Sequence, residues 1–211
     1  MIINWYGEGC FKLQVDGITI VIDPFESSTG LTPPRGQADI VIKTLLPAPQ
    51  PITEPATAKE QTNQIISGPG EYEVKGVSIT GWPLLKDSSP AFIKTVYHLK
   101  TEDLELGILG HLTEFNEPEI LEELGHVDIL FIPGGGKPFI DQEAAAKLIR
   151  QINPRLVIPS FFKVPGLKRK AEDSAEFLKE MGQKVEAEEK LSVRGKELTQ
   201  EKTKVVLLKV W

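Results

Sequence analysis

Residues able to do acid–base, nucleophilic or metal chemistry are few in this chain and widely spaced. Its 211 residues hold three histidines, His98, His111 and His126, and a single cysteine, Cys10. One cysteine excludes an internal disulfide and any cysteine-rich zinc cluster. Between Gly9 and Phe11, at the start of a strand-like run, it reads as a small buried residue. Glu71 and Glu73 stand two apart, so on a strand they share a face, an arrangement open to paired acid and base work or to simple solvation. Lys86 beside Asp87 offers an anion-binding spot or a surface ion pair. Asp23 precedes Pro24 in the turn "VIDPF". Ser160 has no base near it in sequence, and no nucleophile elbow, P-loop or dinucleotide fingerprint supplies another mechanism. His98, inside a strand pattern, and His126, after a helix end, are expected to be structural.

The elements that must position these groups change character along the chain. Hydrophobic residues at 40%, charged residues at 26% and a net charge of −6 are the balance of a soluble globular protein without a basic nucleic-acid footprint. The one basic cluster, "GLKRK", reads as a solvated loop before a helix. No apolar run approaches the ~18 residues of a membrane span and no secretory signal opens the chain, so a cytoplasmic location, with no membrane role, is expected. The first half alternates short strand-like runs ("IINWY", "CFKLQV", "ITIVID", "DIVIKT", "QIIS", "EYEV", "GVSITGW", "FIKTVYHL", "LELGIL") with turn signals, and Asp16-Gly17 marks a hairpin. In the second half helices alternate with the buried strands "VDILFI" and "RLVIPSFF". The clearest helix spans residues 141–153, with Ala145, Leu148, Ile149 and Ile152 on one face and Pro154 after it. Others are expected over residues 116–125, with Asn116 and Glu119 as a capping box, and over 171–181. Polar residues 186–202 read as an ordered surface excursion, and "TKVVLLKVW" as a final strand. One domain over residues 1–211 is the expectation.

Several of these segments together resemble the metallo-β-lactamase-fold hydrolases, in particular their small single-domain zinc-dependent hydrolase-like branch. "NWYGEGCFKL" is similar to the opening strand pair, "VIDPF" to the Asp-Pro turn, and "GPGEYEVKGVSI" to a segment of one branch; "LEELGHVDILFIPGGG", "EAAAKLIRQINPRLVIPSFFK" and "GLKRK…FLKEMG" follow in order. The resemblance implies an α/β fold, an αββα sandwich of two mixed sheets packed face to face with helices outside. It also implies an edge site holding one or two metal ions, where a bound water becomes hydroxide near neutral pH.

Laid residue by residue on that pattern, the ligand types are missing. The His-x-His-x-Asp-His positions fall on Leu45, Pro47, Pro49 and Gln50, the metal-binding Asp on Ile108, and a later His on Phe161. Lys86 and Glu8 also stand at family histidine positions, while His111 matches a residue beside the metal site. The resemblance implies ancestry in a hydrolase, whereas the residues at these positions argue against hydrolysis by that mechanism, so a metal-free pseudoenzyme without a cofactor, acting as a binding or structural protein, is expected. The competing expectation is an active hydrolase with a non-standard site around His111, Asp23, Glu71 and Lys86. A protein partner or a homo-oligomer is open, and no substrate is named. Because Leu45, Ile108 and Phe161 map to one place, they are expected to meet in a collapsed site, flanked by the proline-rich loop at residues 47–55.

Overall fold

The structure, a computed structural model, describes residues 1–47, 64–198 and 202–211. Pro49, Gln50 and most of the proline-rich loop lie outside the described residues. Two sheets dominate. The first has six strands in the order β13 (Leu191–Ser192), β1 (Ile2–Gly7), β2 (Cys10–Val15), β3 (Ile18–Ile22), β4 (Ile40–Lys43) and β6 (Gln64–Ser67). β13 to β3 run antiparallel, and β3, β4 and β6 run parallel, so the sheet is mixed. Asp16 and Gly17 close the β2–β3 hairpin with φ of 49° and 78°, the doubly positive turn that an Asp-Gly pair adopts at least cost.

The second sheet has eight strands. β14 (Lys204–Val205), β12 (Leu156–Ser160), β11 (Ile129–Pro133) and β10 (Glu105–Ile108) are parallel; β9 (Phe92–Lys100), β8 (Val77–Pro83) and β7 (Gly70–Val74) continue antiparallel, and β5 (Leu45–Pro47) pairs with β9 off the main path. The two sheets bury their facing side chains against each other: Ile3, Trp5, Phe11, Leu13, Ile20 and Ile42 from the first meet Tyr97, Leu99, Leu106, Ile108, Phe131 and Ile158 from the second in one cluster. Phe11 and Phe131 touch across it, ring centroids 4.7 Å apart. The parallel strands are buried on both faces, which is why their sequences are unbroken apolar runs. Their outward residues Leu130, Ile132 and Val157 join Leu148, Ile149 and Phe177 from the helices in a second cluster.

The described helices α1 (Pro118–Leu124), α2 (Gln142–Ile152) and α3 (Ala175–Met181) all contribute to that outer cluster. α2 lies where its periodicity predicts. Asp141 is the N-cap, accepting hydrogen bonds from the amides of Glu143 at 3.0 Å and Ala144 at 3.2 Å, and Asn153 ends the helix at a left-handed φ of 54°. The capping box expected at Asn116 does not form. Pro118 opens α1 instead, because its fixed φ suits a first helical position where no N–H is needed, and Glu117 is an N-cap without a side-chain bond. α3 begins after Ser174 rather than at residue 171, with Asp173 accepting a hydrogen bond from the Ala175 amide at 2.9 Å.

The expected final strand is shorter than its sequence suggests. After Lys204–Val205 the chain leaves the second sheet, bridges Leu208 to Glu188 and Val210 to Trp5, and the Trp211 amide donates to the Trp5 carbonyl at 2.8 Å. It passes from the edge of one sheet to the edge of the other. Within residues 186–202, β13 and the buried Val193 confirm an ordered excursion for the described part.

Candidate functional site

At one edge of the sandwich the ends of β1, β3, β4 and β10 and the loop after β12 surround a cleft of about 510 Å³. Its lining includes Glu8, Asp23, Leu45, His111, Phe161 and Arg169, with Lys43, Phe25 and Phe139 further out. Three non-glycine residues here, Glu8, Asp23 and Phe161, hold positive φ of 49°, 41° and 58°. Each such residue costs on the order of 1–2 kcal/mol, so surrounding contacts must impose the conformation.

Asp23 shows how that is done. Its amide donates to the Ile42 carbonyl at 2.8 Å, which turns the side chain under the end of β4. There Oδ1 accepts the Thr44 amide at 2.7 Å and Oδ2 the Thr44 hydroxyl at 2.6 Å. On its other side Thr44 Oγ1 lies 2.8 Å from His111 Nδ1. Gly110 makes this approach possible: a Cβ there would stand 2.2 Å from Thr44 Oγ1. Thr44 has one hydroxyl proton. If it is given to the Asp23 carboxylate, Thr44 must accept from His111 Nδ1–H, and the imidazole lone pair falls on Nε2, which has no hydrogen-bond partner among the described residues.

Burial pushes the Asp23 carboxyl above the ordinary carboxylate range, against the lowering pull of His111 and of the Thr44 hydrogen bonds. Burial likewise holds His111 below the ordinary histidine value, against the raising pull of Asp23. The two atoms nearest each other, Nδ1 and Oδ2, are 3.7 Å apart with Thr44 bridging them. With Asp23 ionised and His111 neutral, the Thr44 amide and hydroxyl both donate to a charge and His111 Nδ1–H donates to Thr44 Oγ1.

The opposite wall is aromatic. Phe161 is 3% exposed, and its ring lies 4.9 Å from that of His111 and 4.2 Å from that of Phe139. Gly9 leaves room for it, since a Cβ would meet Phe161 Cζ at 2.5 Å. The Phe161 amide donates to the Glu8 carbonyl at 3.1 Å, and its carbonyl accepts from Arg169 Nη2 at 2.9 Å. Arg169 also grips Glu8 with both arms, at 2.9 and 2.8 Å, and sits 5.4 Å from the Phe139 ring centre. Arg169 belongs to the basic cluster read from sequence as a solvated loop; it is instead a clamp across the site, joining residues 161 positions apart. Nothing local in the sequence marks Thr44, Arg169 or Phe139 as site residues, because only the fold brings them to His111.

Of the sequence candidates, the structure brings together His111 and Asp23 and leaves the others apart. Glu71, exposed on β7 opposite Thr80, and Glu73 lie outside the cleft. Lys86 is exposed and donates to the Asn116 carbonyl at 3.3 Å, beside a separate 500 Å³ hollow at the start of α2. Its neighbour Asp87 does not pair with it: Asp87 forms a buried ion pair with Lys94 at 2.9 Å, shared with Thr113. His98 bonds Glu105 at 3.0 Å on the second sheet. Of the three positions expected to meet, Leu45 and Phe161 line the same cleft and Ile108, 1% exposed, packs into the inter-sheet core behind it. Phe161 and Ile108 are buried as expected and Leu45 is half-buried, and among the described residues a cleft remains beside them. Cys10 is buried, and its burial raises the thiol far above its usual range, as expected for a structural residue.

Two mixed sheets face to face, helices outside and a cleft at the strand ends define the metallo-β-lactamase class of α/β sandwich. The chain belongs to the beta-lactamase superfamily domain family, whose sequence model matches residues 2–160. A candidate Zn-dependent hydrolase of the metallo-β-lactamase superfamily from Thermotoga maritima has a similar structure, with a TM-score of 0.77 and 26% identity over 98% of this chain and 97% of that one. A UPF0173 protein of Pyrococcus furiosus is 28% identical over 200 residues, 86% of this chain and 90% of its own length. A UPF0173 metal-dependent hydrolase of Thermococcus onnurineus is 29% identical over 123 residues, 56% of this chain and 54% of its own. Among the described residues no helix is long and apolar enough to cross a membrane.

Proposed function

We propose that this chain is a metal-free member of the metal-dependent hydrolase superfamily, a pseudoenzyme that binds a ligand in the cleft at His111 instead of hydrolysing one at a metal centre. The relatives' names favour a metal-dependent hydrolase; the donor set supports the metal-free reading. Among the described residues no group of three or more His, Cys, Asp and Glu side chains is placed to hold a metal ion. Asp23 is already bound through both oxygens by Thr44, and Glu8 through both by Arg169, leaving His111 Nε2 as the imidazole donor at the cleft. The sequence puts no further histidine or cysteine in residues 48–63 or 199–201, so a second imidazole or a thiolate has no source. One nitrogen does not make a zinc, iron or manganese site. The observation carrying this reading is Phe161, whose ring stands where the resemblance puts a metal-binding histidine and packs against His111.

Elemental analysis of the purified protein, after exposure to zinc, manganese and iron salts and desalting, is expected to find far less than one metal per chain. Ester, phosphodiester and β-lactam hydrolysis is expected at background. Stoichiometric metal that is lost in His111→Phe would overturn the proposal. A second reading, a metal-free hydrolase, draws support from the Asp23–Thr44–His111 chain, which orients a basic nitrogen toward the cleft. Turnover that disappears in His111→Phe without any bound metal would establish it, and neither Glu71 nor Lys86 would then be needed.

A further inference from the structure

The charges in the cleft are largely satisfied within the protein. Glu8 and Arg169 neutralise each other through two hydrogen bonds, and Asp23 is held by Thr44. Lys43, exposed at the mouth, has no ion pair among the described residues. With the Thr44 hydroxyl donated to Asp23, the described residues of the cleft offer a ligand an apolar, aromatic surface and an imidazole acceptor, His111 Nε2. Its volume of about 510 Å³ suits a small molecule.

We propose that the cleft binds a small planar aromatic alcohol, its hydroxyl donating to His111 Nε2 and its ring lying against the half-buried Phe139 and Leu45. This names the ligand class for the metal-free reading above and rests on it, since a metal ion in the cleft would take Nε2 for itself. A carboxylate ligand fits worse, because it brings a second acceptor to an acceptor. A sugar or a nucleotide fits worse too, because most polar atoms here already have partners and its many hydroxyls would go unpaired. An aromatic alcohol brings one donor for that acceptor and a flat ring for Phe139 and Leu45.

β-Naphthol, its methyl ether and naphthalene carboxylate separate these possibilities, titrated by calorimetry into full-length protein whose metal content has been measured in the same sample. One saturable site for β-naphthol is expected, with the methyl ether about tenfold weaker because it leaves Nε2 unpaired. His111→Phe, which keeps a ring in place, should reduce β-naphthol to the affinity of the ether. Phe139→Leu should weaken both ligands alike, and the imidazole nitrogen resonances of His111 should move on titration. Equal binding of naphthol and ether, tightest binding of the carboxylate, or no saturable binding of naphthol would each overturn the ligand assignment. The metal analysis reports separately: stoichiometric metal overturns the metal-free reading, whereas a metal-free sample that ignores naphthol overturns only the ligand class.

Discussion

His111 draws its chemical character from neighbours that oppose one another. Burial disfavours its protonated form, while Asp23, reached through Thr44, favours it; burial wins, so the folded chain refuses a proton that the unfolded chain accepts below about pH 6.5. When the unfolded state binds more protons, stability rises with pH, so this side chain removes stability as pH falls through that value. Asp23 acts in the other direction: its raised folded pKa means the folded state binds more protons above the ordinary carboxylate value, and its contribution declines as pH rises from there. Comparing the natural protein with His111→Phe isolates the imidazole, because His98 and His126 are common to both. Urea denaturation at pH 7.5 and 5.5 should show the natural protein losing more stability than the variant on acidification, by no more than the ~1.4 kcal/mol that one pH unit below the ordinary value is worth. Equal losses would mean that His111 titrates as a solvent-exposed histidine and that the Thr44 hydrogen bond does not isolate it.

The strands and helices were largely legible from the sequence because their signals are local, whereas the site's contacts are not. Phe11, Leu13 and Val15 alternate with Lys12 and Gln14, a period of two that only a strand with one buried face produces, and β2 has that burial pattern. Ala145, Leu148, Ile149 and Ile152 mark α2 just as directly. β5 escaped notice because Leu45–Pro47 takes its strand character from pairing with β9, a partner about 50 positions away, and Leu-Leu-Pro carries no strand period of its own. Of the site, Asp23 and His111 were legible as chemistry, but Thr44, which joins them, was not. The loop after β10 shows what such a junction requires. Gly110 has a φ of 48°, and a Cβ there would lie 2.2 Å from Thr44 Oγ1 and 2.3 Å from Thr44 Cβ, so neither backbone nor side chain can yield cheaply. Gly17 has a φ of 78° and nothing within 4 Å. Gly17→Ala should therefore lose only the conformational cost, about 1 kcal/mol. Gly110→Ala should lose on the order of 3 kcal/mol and separate His111 from Thr44. Chemical denaturation of the pair measures the steric contribution directly, and equal losses would mean that the β10 loop is free to move away from Thr44.

The whole molecule is held by contacts that close it from its far end. The family match covers residues 2–160, yet Phe161, the Arg169 clamp, α3 and the segment that bridges the sheets all follow it. That last segment ties the halves together physically. Val205 packs in the helix-side cluster, Val206 and Leu208 lie in the core between the sheets, and Val210 and Trp211 bond the edge of β1 at Trp5, beyond the point where β13 pairs with Ile2 and Ile3. A chain ending at Val205 would keep the β14 pairing but lose Val206 and Leu208, each 2% exposed. At ~1.5–3 kcal/mol for each fully buried aliphatic side chain, an upper estimate because the unfolded chain already buries some apolar surface, the loss is about 3–6 kcal/mol. It would also uncover the backbone of β1 at Trp5, an unpaired edge that invites association between copies. The shortened protein should thus unfold at a markedly lower denaturant concentration and show concentration-dependent association in light scattering. An unchanged midpoint would mean that the two sheets hold together through their own facing residues, with the crossing segment adding nothing.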